Sequence, residues 1–215
     1  MELMIHVFHG FLGSPKDFDF LPTDRARTYD LYHFDRDSFL KELQVEDVIM
    51  GYSMGGRLAM ELAVASNFQL KKLVLINAHP GLSDRSSLPE RQIWEESVME
   101  RLNTLSQEEF LEYWNKLPLF KADQPLKPMP QARFTSSAEL FTNHRLSQQK
   151  NYVPLLAQHK HKVLWIAGQQ DEKYAQVARD LIVPQGIETE FIDGGHRLYQ
   201  HPNSLVNILK AHNLL

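Results

Sequence analysis

The chain contains no cysteine, which removes disulfides, thiolate nucleophiles and zinc–thiolate centres together and fits a reducing compartment. It also lacks long apolar runs, all of them falling far below the roughly 20 residues needed to span a bilayer. The first eight residues, Met1 to Phe8, carry no basic segment of the kind that opens a secretory leader. A basic surplus is missing as well: 23 Lys+Arg stand against 27 Asp+Glu, a net charge of −4, which argues against a general nucleic-acid binder. The pair His159 and His161 has no further ligands near it in sequence and makes a poor metal site. These absences lead to the expectation of a cytoplasmic protein with no metal, no cofactor, and neither nucleic acid nor membrane as partner.

What is present is ordinary globular material: 215 residues, 43% hydrophobic and 23% charged, enough for one domain with a sizeable core. Short apolar runs at residues 3–8, 47–52, 72–77, 162–167 and 188–192, with a weaker one at 28–34, alternate with helical patterns at 38–43, 55–66, 173–182 and 204–209. Nearly continuous apolar strands separated by helices predict an α/β fold, with about six mostly parallel strands covered on both faces. From 83 to 150 the rhythm breaks. No strong strand occurs there, and helices are expected over 89–103, 106–116 and 136–149, with Pro118, Pro125, Pro128 and Pro130 in the middle. Ser106 and Glu109 have the spacing of a capping box. This segment is expected to form a helical lid on a core made of residues 1–82 and 151–215.

The sharpest local signal is Gly51-Tyr52-Ser53-Met54-Gly55. A G-x-S-x-G string between a strand and a helix places a serine hydroxyl on a tight turn above the sheet. Such a serine needs an imidazole in reach, and the imidazole needs a carboxylate to orient it. His196 follows the strand 188–192 through Gly194-Gly195, and Asp171 follows the strand 162–167 through Gly168-Gln169-Gln170. Both thus hang from carboxyl ends of strands, where sites in parallel sheets form. The order Ser53, Asp171, His196 is that of an α/β-hydrolase triad. His201 and Asp193 are the local rivals. Oxyanion donors must be backbone N–H groups, and Met54 and Phe11 are the candidates, with His9 holding the loop around Phe11.

Arg57 lies in the first turn of the helix after Ser53, where the macrodipole disfavours a cation, and one turn from the serine. The placement makes sense if an anion sits above Ser53. Arg85, Arg91, Arg101, Arg133 and Arg145 are further candidates within the lid.

The loop His9 to Ser14, the Gly-Tyr-Ser-x-Gly-Gly-Arg string, His79-Pro80-Gly81-Leu82, Glu90-Arg91-Gln92, Trp114 with Pro118-Leu119-Phe120, Gly168 to Asp171 and Gly194 to His196 together resemble the 2-succinyl-6-hydroxy-2,4-cyclohexadiene-1-carboxylate synthases of menaquinone biosynthesis. The resemblance runs through most of the chain. It implies an α/β-hydrolase fold and a lyase that eliminates pyruvate from 2-succinyl-5-enolpyruvyl-6-hydroxy-3-cyclohexene-1-carboxylate, with Ser53 as general base. It also implies that Arg57, Arg91 and Arg133 hold the carboxylates of a small anionic substrate and that Tyr52 and Trp114 line the pocket. The region after the second strand departs from the family, being cut to Asp35-Arg36-Asp37-Ser38 before a short helix. Two other readings stand beside this one: a serine carboxylic-ester hydrolase using the same triad, and a catalytically silent binding protein. A monomer is expected.

Overall fold

The computed structural model describes residues 3–215. Each apolar run becomes a strand whose successive side chains enter opposite cores. Val48, Met50 and Tyr52, with Val74, Ile76, Leu164 and Ile166, belong to one core; Ile49, Leu73, Leu75, Val163, Trp165 and Ala167 belong to the other. Both faces are buried, so the runs read as continuously apolar rather than alternating. The strands are β1 (Ile5–Phe8), β2 (Ala26–Tyr29), β3 (Val48–Tyr52), β4 (Lys72–Ile76), β5 (Val163–Gly168) and β6 (Glu188–Ile192). They pair in the order β2-β1-β3-β4-β5-β6, and every pairing is parallel.

That order contains a reversal. The chain leaves β1 outward to β2 and then returns to place β3 on the other side of β1, so the loops after β1 and β3 diverge and open a crevice at the carboxyl edge. Helices α1 (Arg36–Glu42), α2 (Met54–Ala65), α8 (Glu172–Val177, extended by a wider turn over Ala178–Ile182) and α9 (Pro202–Ala211) lie between or after the strands. Between β4 and β5 come α3 (Leu88–Thr104), α4 (Gln107–Asn115), α5 (Gln131–Thr135), α6 (Ser137–Asn143) and α7 (Val153–Gln158). The excursion leaves and returns at one point, where the Tyr152 N–H donates to Pro80 O at 2.7 Å. Ser106 and Glu109 form the expected reciprocal cap on α4.

Two local expectations are corrected. The weak strand at 28–34 ends at Tyr29, because the Asp30 side chain accepts the Tyr32 N–H and turns the chain into a single tight turn. The aromatics Tyr29 and Phe34 pack with Phe8 and Phe39 instead of extending the sheet edge. The helix expected over 136–149 stops at Asn143, followed by a separate turn at Leu146–Gln148. There the backbone bends so that the Leu146 and Ser147 N–H groups donate to the buried Glu95 carboxylate. No described helix is long and apolar enough to cross a membrane.

Candidate active site

The crevice is filled from the loops at the strand ends. Ser53 follows β3 directly and stands at φ 52°, ψ −112°, a region that non-glycine residues occupy only when their surroundings force it. The forcing is steric. A Cβ at Gly51 would fall on the backbone of Gly55, and one at Gly55 would fall on the carbonyl oxygens of Phe8 and His9. Only glycine lets β3, the turn and α2 pass so close to β1.

The turn aims Ser53 Oγ at His196, whose Nε2 accepts its proton at 2.9 Å. On the other side of the ring, Nδ1–H donates to Asp171 Oδ2 at 2.6 Å, and the pair is almost wholly buried. The Asp171 carboxylate has a second role, since Oδ1 accepts the Tyr174 N–H and caps α8. Both functions hold the oxygen pair still, which fixes the imidazole's tautomer and direction. The structure thus brings Ser53, His196 and Asp171 together. Asp193 is exposed and accepts from Gln170 at 2.7 Å, away from the ring. His201 stands at the boundary before α9, with no side-chain hydrogen bond to the helix end.

The His196 loop is fixed from two directions that its sequence does not announce. Asn77, fully buried at the end of β4, donates to Gly195 O and His196 O and accepts from the Gly168 N–H. From the helical insertion, Asp123 accepts the N–H groups of His196 and Arg197 at 3.2 and 3.0 Å. Arg197, 2% exposed, runs back into that insertion, donating to Gln124 O and Asn115 Oδ1 and lying over the Phe120 ring.

Facing the serine is the loop after β1. Gly13 N–H closes on Gly10 O, and His9 holds the loop, donating through Nδ1 to Gly10 O and accepting the Leu31 N–H on Nε2. The Phe11 N–H has no acceptor among the described residues. The Met54 N–H lies ahead of the first α2 bond, Arg57 N–H to Ser53 O, so a helix terminus points to the same spot.

Around these groups is a cavity of about 560 Å³, within the range of small-molecule sites. Its wall is aromatic: Tyr52, Trp94, Trp114, Phe120 and Phe141, with the Phe11 ring against Trp114 and Phe141. Its charges are mostly cationic. Arg57 lines it and makes its protein hydrogen bond to His144 O at 2.5 Å. Burial, with Arg91 nearby, lowers the Arg57 pKa to about 10. Arg91 also lines it, with its Nε on Glu95 and its guanidinium over Trp94. Burial works to raise the Glu95 pKa, but the Ser147 hydroxyl and Arg91 outweigh it and hold the carboxyl below its usual range. Glu90 and Arg197 line it too, and so do two further charged residues that the sequence does not mark. Lys173, in the first turn of α8, has its pKa lowered by burial and by Arg91. Asp17 has its pKa raised by burial despite the Ser14 N–H it accepts.

Arg133 corrects the expectation. It does not line this cavity. Its guanidinium donates to Asp30 Oδ2 and Gly13 O, both at 2.6 Å, and stacks over Tyr32. It pins the insertion to the β1 loop, because the Asp30 carboxylate offers a closer partner than the cavity does. Burial opposes the Asp30 charge, yet Arg133 and the Tyr32 N–H hold its carboxyl well below the ordinary range. Among the described residues no cluster of His, Asp or Glu could hold a metal ion.

A Bacillus subtilis (strain 168) protein provisionally named 2-succinyl-6-hydroxy-2,4-cyclohexadiene-1-carboxylate synthase is 27% identical over 206 residues, covering 80% of this chain and 75% of its own. The enzyme of that name from Enterobacter sp. (strain 638) is 24% identical over 155 residues, 69% of this chain and 60% of its own. The solved structure of MenH from S. aureus superposes with a TM-score of 0.78 at 23% identity, covering 98% of this chain and 94% of that one. The model of the alpha/beta hydrolase family matches residues 7–208, and the chain belongs to that family.

Proposed function

We propose that the protein is a carbon–oxygen lyase that eliminates pyruvate from 2-succinyl-5-enolpyruvyl-6-hydroxy-3-cyclohexene-1-carboxylate, a substrate with several carboxylates. The observation that supports this most is the pairing of a serine relay with cations at the same cavity: Ser53 and His196 share it with Arg57, Arg91 and Lys173. A neutral ester gains little from that surround, whereas a polycarboxylate needs it, and a planar guanidinium matches a carboxylate in bidentate fashion.

In the proposed reaction His196 draws the proton from Ser53 Oγ, and the serine oxygen removes the ring proton next to the succinyl carbonyl. The electron pair moves onto that carbonyl oxygen, where the Phe11 and Met54 N–H groups stabilise it. It then returns through the ring double bond and expels the enolate of pyruvate, which takes up a proton. One C–O bond breaks and no water is consumed. Asp171 steadies the imidazolium that forms meanwhile.

The aromatic wall suits a second reading, a serine ester hydrolase in which Ser53 attacks an acyl carbon. The test separates them. Incubation with the cyclohexene precursor should release pyruvate, read by coupling to lactate dehydrogenase. Ser53→Ala should lower that rate by about a hundred- to ten-thousandfold, the usual worth of a positioned base. Arg57→Ala should cost about ten- to a hundredfold on this substrate, as one charge-assisted hydrogen bond would, and far less on p-nitrophenyl acetate. Turnover of the ester alone, or equal losses on both, would favour the hydrolase.

A further inference from the structure

Arg57 borders not one cavity but two. Beyond it, on the side away from Ser53, lies a second cavity of about 410 Å³ between α1, α2 and the 143–152 turn. Arg36, Arg57, Arg145 and Lys150 line it, against the one carboxylate of Glu61. None of these four cations stands in an ion pair among the described residues, although ion pairs engage Arg27, Lys72, Arg91, Lys116, Lys121 and Arg133. The fifth basic side chain, His144, is kept uncharged near neutral pH, since burial and Arg57 lower its pKa to about 4. Three positive charges therefore remain uncompensated in one concave space.

One buried donor deepens the imbalance. Arg145, which lines the cavity, has its Nε buried with no hydrogen-bond partner among the described residues, a state that folded proteins seldom leave unresolved. Arg57 offers five N–H donors in a rigid fork, and the protein answers it with a single carbonyl, His144 O. Donors without acceptors, four cations against the single carboxylate of Glu61 and a concave wall containing Tyr152 describe a site for a small, highly charged anion. A nucleic acid or an anionic membrane does not fit the same facts, because the surface is concave and the whole chain carries −4.

We infer that this second cavity binds a small polyanion of the di- or tricarboxylate class and that its occupant competes with the serine cavity for Arg57. The guanidinium cannot give its full fork to two anions at once. By linkage, filling the rear site weakens anion binding at the front, and the reverse holds by the same factor. The competition rests on the reading of the front ligand as anionic; binding at the rear does not.

Isothermal titration of the full chain with citrate, with inorganic phosphate and with acetate tests this. Apart from any binding at the serine cavity, citrate should fill a saturable site that depends on Arg145 and Lys150, more tightly than phosphate and with acetate weakest. Lys150→Gln and Arg145→Gln should each weaken citrate about tenfold, the loss of one charge-assisted contact, while Arg91→Gln leaves it unchanged. Lys150 and Arg36 are exposed, so Arg36→Gln with Lys150→Gln carries the test if Arg145→Gln does not fold. Loss of binding in Arg91→Gln but not in Arg145→Gln would place the ion in the serine cavity and overturn the proposal. So would a phosphate or acetate preference, or no saturation at millimolar citrate. Citrate binding as expected without pyruvate release would leave the rear site standing and reject the lyase reading instead.

Discussion

Lys173 and Arg57 share one electrostatic oddity. Each is a cation in the first turn of a helix, close to its positive end, and each lines the cavity of Ser53. Burial adds to the strain on both charges. On the proposed function an incoming carboxylate would relieve dipole and burial together, and Lys173 would take the place in the cavity that Arg133 was expected to hold. Lys173→Met should raise the KM for the polycarboxylate about tenfold, in line with one lost charge-assisted contact, and leave p-nitrophenyl acetate turnover near wild type. Arg133→Met should act differently, lowering the melting temperature and kcat through the β1 loop with little change in KM. A large KM effect for Arg133→Met would return that residue to the substrate. The sequence showed Ser53, Asp171 and His196 because each follows a strand within a few residues, a short-range pattern. Arg133 was not legible in the same way, since its choice between cavity and Asp30 depends on two segments a hundred residues apart.

At the scale of elements, the helical insertion is tied to both reacting loops rather than poised over them. Arg133 on α5 binds the β1 loop at Gly13 O, and the turn before Asp123 delivers its carboxylate to the His196 and Arg197 N–H groups. Arg197 returns the tie through Gln124 and Asn115. The imidazole therefore keeps its place only while the insertion does. Asp123→Ala should lower kcat about tenfold or more, as a small misplacement of a base can, with KM nearly unchanged, and should speed amide exchange over residues 194–200. Unchanged exchange with a lowered KM effect alone would show the carboxylate acting on substrate. The strands and their order of appearance were readable because burial on both faces writes itself as continuous apolar runs. The break at Asn143 was not, because it is set by the distant Glu95 carboxylate on α3, and the one at Tyr29 was not, because a local Asp30 turn overrides the aromatic run that follows it. Asp123 sits in a proline-rich stretch with no periodic pattern, so nothing local marks it.

For the molecule as a whole, the cations drawn to the two cavities leave a surface that is net acidic, and two histidines are sealed beside them in neutral form. Burial, aided by nearby cations, lowers the His79 pKa to about 3, and burial with Arg57 lowers that of His144 to about 4. His79 must stay neutral for its ring to work locally, because Nδ1 accepts the Gly81 N–H at 3.2 Å where the insertion departs from the sheet. In the unfolded chain both rings take up protons near pH 6.5. As pH falls from there toward 4, the unfolded state binds more protons than the folded one, so stability falls with pH. At about 1.4 kcal/mol for each tenfold difference in proton affinity, the two rings together reach several kcal/mol, a large share of the stability of a domain. Asp30 adds its own loss only below about pH 4, the ordinary carboxylate range, since its folded pKa is held lower still. Thermal melts between pH 7.5 and 4 should therefore drop steeply for the wild type, and the combined His79→Asn, His144→Gln variant should give a flatter curve over that window. Equal slopes for the two proteins would show that the acid sensitivity lies elsewhere than in these two rings, in His6, whose pKa burial also lowers, or in the carboxylates.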